Sequence, residues 1–234
     1  LVIAALWTSL FLAWWSLSAA AFAYPLLYDW AGIDANIAVY GPRNRYKRAF
    51  ETTTRAERIR LFADLVRAIN HGGEGLAQIR YHDPTGRAID TLLRPPEIVH
   101  LRDVAGLISR LKRGAYLGMA LFLVIALAHW GWRIPPPKAW HAFLALALLC
   151  AVVSSGVYLY GPERLFYQWH TVVFPQDHQW FFYYEESLMT TLMKAPDLFA
   201  YIAGLLLVTT LGILWALLKA VSIGVSMRLA VRGG

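Results

Sequence analysis

Four long apolar stretches, at positions 2–23, 115–130, 139–160 and 199–218, constrain this chain more than any other feature. Each approaches the roughly 20 residues that an α-helix needs to cross a bilayer. Lipid offers no partner for a backbone N–H or C=O, so a spanning segment must satisfy its own hydrogen bonds, which leaves helices or closed barrels. A barrel strand alternates apolar and polar residues over about ten positions; the continuous Leu, Ala and Val runs exclude that pattern. The expected fold class is therefore a membrane protein: a four-transmembrane-helix bundle with a small extracytoplasmic α+β domain inserted between the first and second spans.

Composition sets the expected boundaries. Residues 1–24 read as the first transmembrane helix, 25–113 as the extracytoplasmic domain and 114–131 as the second span. A cytoplasmic turn at 132–138 holds Pro135, Pro136 and Pro137. The third span is 139–160, an aromatic interfacial loop follows at 161–198, and the fourth span at 199–220 leads into a cytoplasmic tail at 221–234. Ser18-Ala19-Ala20-Ala21 also has the small residues of a signal-peptide cleavage region. The apolar run exceeds the usual leader core of about 7 to 15 residues, and no basic flank stands before it. An uncleaved span, with a few residues preceding Leu1, is the expectation.

Charge orients these segments. Arg133, Lys138, Arg228 and Arg232 mark the tight turn and the tail as cytoplasmic, which puts both large loops outside. Arg110, Lys112 and Arg113 flank the other face, but long loops largely escape the positive-inside rule. The net charge is +7, and residues 25–113 carry fifteen Lys/Arg against ten Asp/Glu, or +5 of it. The densest run is Arg43, Arg45, Lys47 and Arg48, then Arg55, Arg58 and Arg60. A basic domain beside a bilayer faces anionic headgroups; a solvated helical face accounts for the same run. Membrane lipids are the expected partners and nucleic acid is not, while the oligomeric state stays open. The lone Cys150 lies in the third apolar stretch, where it is expected as core packing without an intramolecular disulfide. No zinc framework, phosphate loop or Gly-x-Ser-x-Gly elbow is present, so neither a metal nor a cofactor is called for.

Within the inserted domain, Thr54-Arg55-Ala56-Glu57 has capping-box spacing, and Ile59, Phe62, Leu65, Val66 and Ile69 follow at helical period. That amphipathic helix should end near Asn70, where His71, Gly72 and Gly73 break it; His71 reads as a helix-end residue. Residues 78–82 and 88–92 flank Asp83-Pro84-Thr85-Gly86 and read as a hairpin. Two strands alone are marginal in water. They must pack on the helix, on a further strand near residues 37–40, or on the bilayer. After Pro95 and Pro96 a helix resumes with Val104, Leu107, Ile108 and Leu111 and should run into the second span.

Two histidines stand beside the ends of predicted spans. On the helix after Pro96, His100, Asp103 and Val104 share a face. Asp103 can then hold the His100 imidazole in one tautomer; an exposed or capping carboxylate is the competing reading. His170 lies in the second loop, where nine aromatics between Phe166 and Tyr184 suit the headgroup layer. His129 and His141 read as interfacial or solvated residues near the cytoplasmic face, and His82 as exposed.

Taken together, His100-Leu101-Arg102-Asp103-Val104 before a span, Trp169-His170-Thr171-Val172-Val173-Phe174 with Asp177 and Trp180, and Pro196-Asp197-Leu198-Phe199 entering the last span resemble the bacterial lipoprotein intramolecular transacylase family. The likeness covers nearly the whole topology, although its specific part is confined to these short segments. Residues 181–194 are longer and more aromatic than that pattern, and 43–93 carry no motif that matches it. The resemblance implies transfer of an acyl chain from the diacylglyceryl group of a lipoprotein to the amine of its N-terminal cysteine, giving a lyso-form lipoprotein. It implies His100, Asp103 and His170 as catalytic residues, with His100 as base, Asp103 as its orienter and His170 as the electrophilic or proton-returning partner; the two histidines are interchangeable at this level. Trp169, Phe174, Asp177 and Trp180 would bind the diacylated lipoprotein substrate. The implied setting is the bacterial cytoplasmic membrane, with the active site on its extracytoplasmic side.

Two other classes compete. A metal-dependent membrane hydrolase would use His100, His170, Asp177, His178 and Glu185 or Glu186 as ligands, although no His-Glu-x-x-His helix is present. A non-enzymatic lipid-binding or scaffold protein would use both histidines as interfacial hydrogen-bonding residues.

Overall fold

The computed structural model describes residues 1–230, apart from the side chains of Pro162 and Glu163. In chain order the elements are α1 (Val2–Ala19), α2 (Tyr24–Trp30), α3 (Ile33–Tyr40), α4 (Arg55–Asn70), β1 (Arg80–His82), β2 (Ala88–Thr91), α5 (Pro95–Trp132), α6 (Ala139–Tyr160), α7 (Pro162–Val173), α8 (Leu188–Met193) and α9 (Asp197–Ala230). The chain is mostly helical, and α1, α5, α6 and α9 are long and apolar enough to cross a membrane. It divides into two compact units. The first holds residues 1–14, 112–173 and the chain from Leu206 onward; the second holds 15–111 and 174–205.

In the first unit, Ala4 and Ala5 of α1, Phe122 of α5, Ala142 of α6, and Leu214 and Leu218 of α9 form one buried cluster. Small residues at such contacts let helix backbones approach, which matters where lipid tails are as apolar as the side chains. Thr8 and Ser9 donate their hydroxyls to the carbonyls of Ala4 and Ala5 at 2.8 and 2.7 Å, so neither polar group needs a partner outside α1. Cys150 departs from the expected core position and lies exposed on α6. The α6 residues that enter the cluster, Ala142 with Ala139, Phe143 and Leu146, all belong to the first turns of that helix.

The first helix stops at Ala19, short of the expected boundary at 24, because Ala21, Phe22 and Ala23 take φ values of 46°, 52° and 54°. L-residues resist that left-handed region, and burial of the adjoining Phe22 and Tyr24 offsets the cost.

The second unit is built around α4. Thr54 accepts a hydrogen bond from the Glu57 amide at 3.2 Å, as the capping-box spacing predicts, and the helix ends at Asn70. Leu61, Phe62, Leu65 and Val66 are buried, and the Tyr24 ring stacks on Phe62 at 3.9 Å. Residues 37–40, the further strand among the three supports considered for the hairpin, belong to α3. Ile33 and Ile37, four apart, are both fully buried, so helical rather than alternating burial decides the element. The hairpin forms as predicted: β1 and β2 pair antiparallel, with Arg80 opposite Thr91 and Tyr81 opposite Asp90. It rests on α4, where the Glu57 carboxylate receives the His82 amide at 2.9 Å and faces the His82 ring at 2.8 Å. His82 is therefore held against Glu57 and only one-third exposed, in place of the exposed position expected of a turn residue. We expect Thr54→Ala to lower stability by about 1 kcal/mol, the usual effect of losing an N-cap, with a matching fall in the melting temperature of the solubilised protein.

Candidate functional site

Arg94 precedes two prolines that open α5, where missing N–H groups cost least because the first turn has no acceptors for them. Glu97 follows, fully buried. Its carboxylate accepts the Arg94 amide at 2.6 Å and the Ser187 hydroxyl, and the Arg94 guanidinium lies 3.5 Å away. Ser187 in turn caps α8 by accepting the Thr190 amide at 2.9 Å. The buried carboxyl group is thus met from both sides, the condition under which such a group is tolerated, and burial pushes its pKa above the ordinary carboxylate range.

One turn further along α5, half-buried His100 packs edge-on against Phe174 with ring centres 5.1 Å apart, and against Phe182 at 6.1 Å. Phe174 and Phe182 are both buried. These contacts bring His100 and Phe174 together. Asp103, three residues on, bonds elsewhere than expected: His178 Nδ1 donates to its Oδ2 at 2.7 Å. The imidazole that the carboxylate orients is therefore that of His178. His178 is one-third exposed and Asp103 about one-fifth. The Asp103 hydrogen bond holds the His178 pKa above the ordinary histidine range, and Asp177 adds to the effect. Sequence reading had considered His178 only as a metal ligand, since nothing local links it to a carboxylate 75 positions earlier.

His170 belongs to the first unit, on α7, a helix where an irregular aromatic loop was expected. It is buried although its neighbours Trp169 and Val172 are exposed. Its Nδ1 lies 2.8 Å from the Phe166 carbonyl, and its ring leans on Phe166 at 4.0 Å and meets Trp169 edge-on at 4.9 Å. A carbonyl can only accept, so Nδ1 carries the hydrogen and, in the neutral ring, Nε2 carries the lone pair. Burial pushes the His170 pKa below the ordinary range, outweighing the Phe166 carbonyl, which raises it. Trp169 shares α7 with His170. Asp177, exposed, and Trp180, half-buried, stand in the second unit with Phe174.

Most of the basic run meets acidic partners. Arg45 faces Glu186, Lys47 faces Asp90, Arg55 faces Asp29, Arg58 faces Asp34, and Arg60 bridges Glu57 and Asp64. Much of this charge is matched inside the unit. Among the described residues, no three His, Cys, Asp or Glu side chains converge as a metal-binding group.

Comparison with known proteins finds no matching family model, no similar curated protein and no similar solved structure. Function must therefore be argued from these residues.

Proposed function

We propose that this protein is an intramolecular lipoprotein transacylase of a bacterial cytoplasmic membrane, with four spans in a bundle and residues 25–113 as an extracytoplasmic insertion. The observation that carries this reading is the cluster at the polar start of α5. It puts His100 between two buried phenylalanines and, one turn on, an aspartate bonded to a second imidazole. Acyl transfer to an amine needs a base for an ammonium, a donor for a developing oxyanion, and apolar walls that hold a lipid ester. We assign the roles as follows. His170, taken by itself on α7, has the features that suit a base acting through Nε2: its Nδ1 is committed to the Phe166 carbonyl and burial lowers its pKa. His100, walled by Phe174 and Phe182, donates to the ester carbonyl oxygen.

The test is mass spectrometry of a diacylated reporter lipoprotein from a host unable to N-acylate, with and without this protein. The expected result is one acyl chain moved onto the cysteine nitrogen at constant total mass, abolished by His100→Ala. An unmodified reporter despite verified expression overturns the reading. Loss of acyl mass replaces it with hydrolysis, and zinc-restorable inhibition by chelators would identify the metal-dependent form of that hydrolysis.

A further inference from the structure

Intramolecular acyl transfer from an oxygen ester has two proton problems, and one base answers only the first. The ammonium must lose a proton before its nitrogen can attack, and the departing glycerol oxygen must gain one. Alkoxides are poor leaving groups in water and worse beside lipid, so a positioned acid at that oxygen is worth about 10²- to 10⁴-fold.

Resting on the transacylase reading, we propose that His178, held by Asp103, is the general acid that protonates the departing glyceryl oxygen. The supporting geometry lies wholly within the second unit. Asp103 Oδ2 receives Nδ1–H of His178 at 2.7 Å, which fixes the ring and leaves Nε2 as the nitrogen that can meet a substrate. Asp103 stands one turn along α5 from His100 and on the same face. The segment that carries His178 starts at Phe174, which packs on His100, and reaches Phe182, which packs on it as well. One-third exposure of His178 lets the imidazole regain a proton from solvent between turnovers. The charged neighbours that act on it are Asp103 from α5 and Asp177 from its own segment, and both favour the imidazolium. Asp103 is a positioning residue, since it acts through His178.

The balance is as follows. A general base takes one proton from the substrate ammonium and passes it to solvent, and the amine nitrogen attacks the carbonyl carbon, forming the C–N bond. As the C–O bond to glycerol breaks, its electron pair stays on oxygen, which takes the proton from His178 Nε2. The nitrogen gives up its second proton to the same base, which returns it to solvent, and solvent reprotonates His178. The products are an amide and a free glycerol hydroxyl, with one net proton released.

The experiment compares two synthetic diacylated lipopeptides in proteoliposomes, one with the natural oxygen ester and one with a thioester at the transferred position, each corrected for its rate without protein. A thiolate leaves without protonation. His178→Gln should slow oxygen-ester transfer at least about 100-fold and thioester transfer less than about 5-fold. In the wild type, oxygen-ester transfer should fall as pH rises through the His178 pKa. Asp103→Asn removes the interaction that raises that pKa, so this limb should move to lower pH. Equal slowing of both substrates by His178→Gln would mark a structural role and overturn the proposal, as would no slowing of either. Both of those outcomes leave the transacylase reading standing. Failure of the wild-type protein to transfer either chain overturns that reading and this one with it.

Discussion

Replacing His170 with alanine is expected to slow transfer of the oxygen ester by about 10²- to 10⁴-fold, the usual contribution of a positioned base, with little change in how much protein reaches the membrane. The side chain is buried on a helix whose other aromatic residues are mostly exposed, and its Nδ1 is already bonded one turn back to Phe166. Alanine therefore removes a ring held for its second nitrogen while leaving the α7 backbone bonds in place. Because burial lowers the His170 pKa, the neutral form that the proposed base role requires persists below the ordinary histidine midpoint of about 6.5. The acid limb of kcat/KM in the wild type should accordingly lie below pH 6.5. Rate measurements over a pH series on the oxygen-ester lipopeptide check both statements. A wild-type limb above that midpoint, or an alanine variant at the parental rate, would remove His170 from the base role.

Arg58→Ala is expected to produce the largest loss of stability in the second unit. Its side chain is nearly inaccessible, and its guanidinium donates to Thr53 Oγ1 at 2.9 Å, the Tyr28 hydroxyl at 2.8 Å, Asp34 at 2.6 Å and the Glu51 carbonyl at 2.8 Å. Each hydrogen bond from a charged group is worth about 1.5 to 3 kcal/mol. Several acceptors would lose the same donor, and some regain water once alanine opens the site. A net loss of about 2 to 4 kcal/mol follows, from partly buried acceptors at Thr53, Tyr28 and Glu51 left without their donor. Asp34→Asn should cost far less, because the Asp34 side chain is 73% exposed and water already solvates most of its charge. Thermal melting of the solubilised protein, with limited proteolysis between α2 and α4 as a second readout, should separate the two variants by several degrees.

Features encoded within a few residues were legible in the sequence. The Thr54 cap, the end of α4 at Asn70, the turn at Asp83 to Gly86 and the apolar helices each depend on neighbours in the chain. Features that pair distant residues were not. Arg55 and Arg58 read only as part of a basic run, because their partners Asp29 and Asp34 lie more than twenty positions upstream. Asp103 was matched to His100 by helical spacing, the only geometry a sequence offers, whereas its partner comes from another segment. The α7 helix had a readable signal in the spacing of Leu165, Phe166, Trp169 and Val173. The density of aromatic residues around it drew attention to the headgroup layer instead.

The Glu97 carboxylate, bound by the Arg94 amide and the Ser187 hydroxyl, has a consequence for motion. Together with the packing of Phe174 on His100, it fastens the stretch carrying Asp177, His178 and Trp180 at both ends to the same helix. Such a stretch behaves as a short bridge rather than a swinging flap. Its amide protons should exchange with solvent through small local openings, while release of the whole stretch requires Glu97 to let go of Ser187 first.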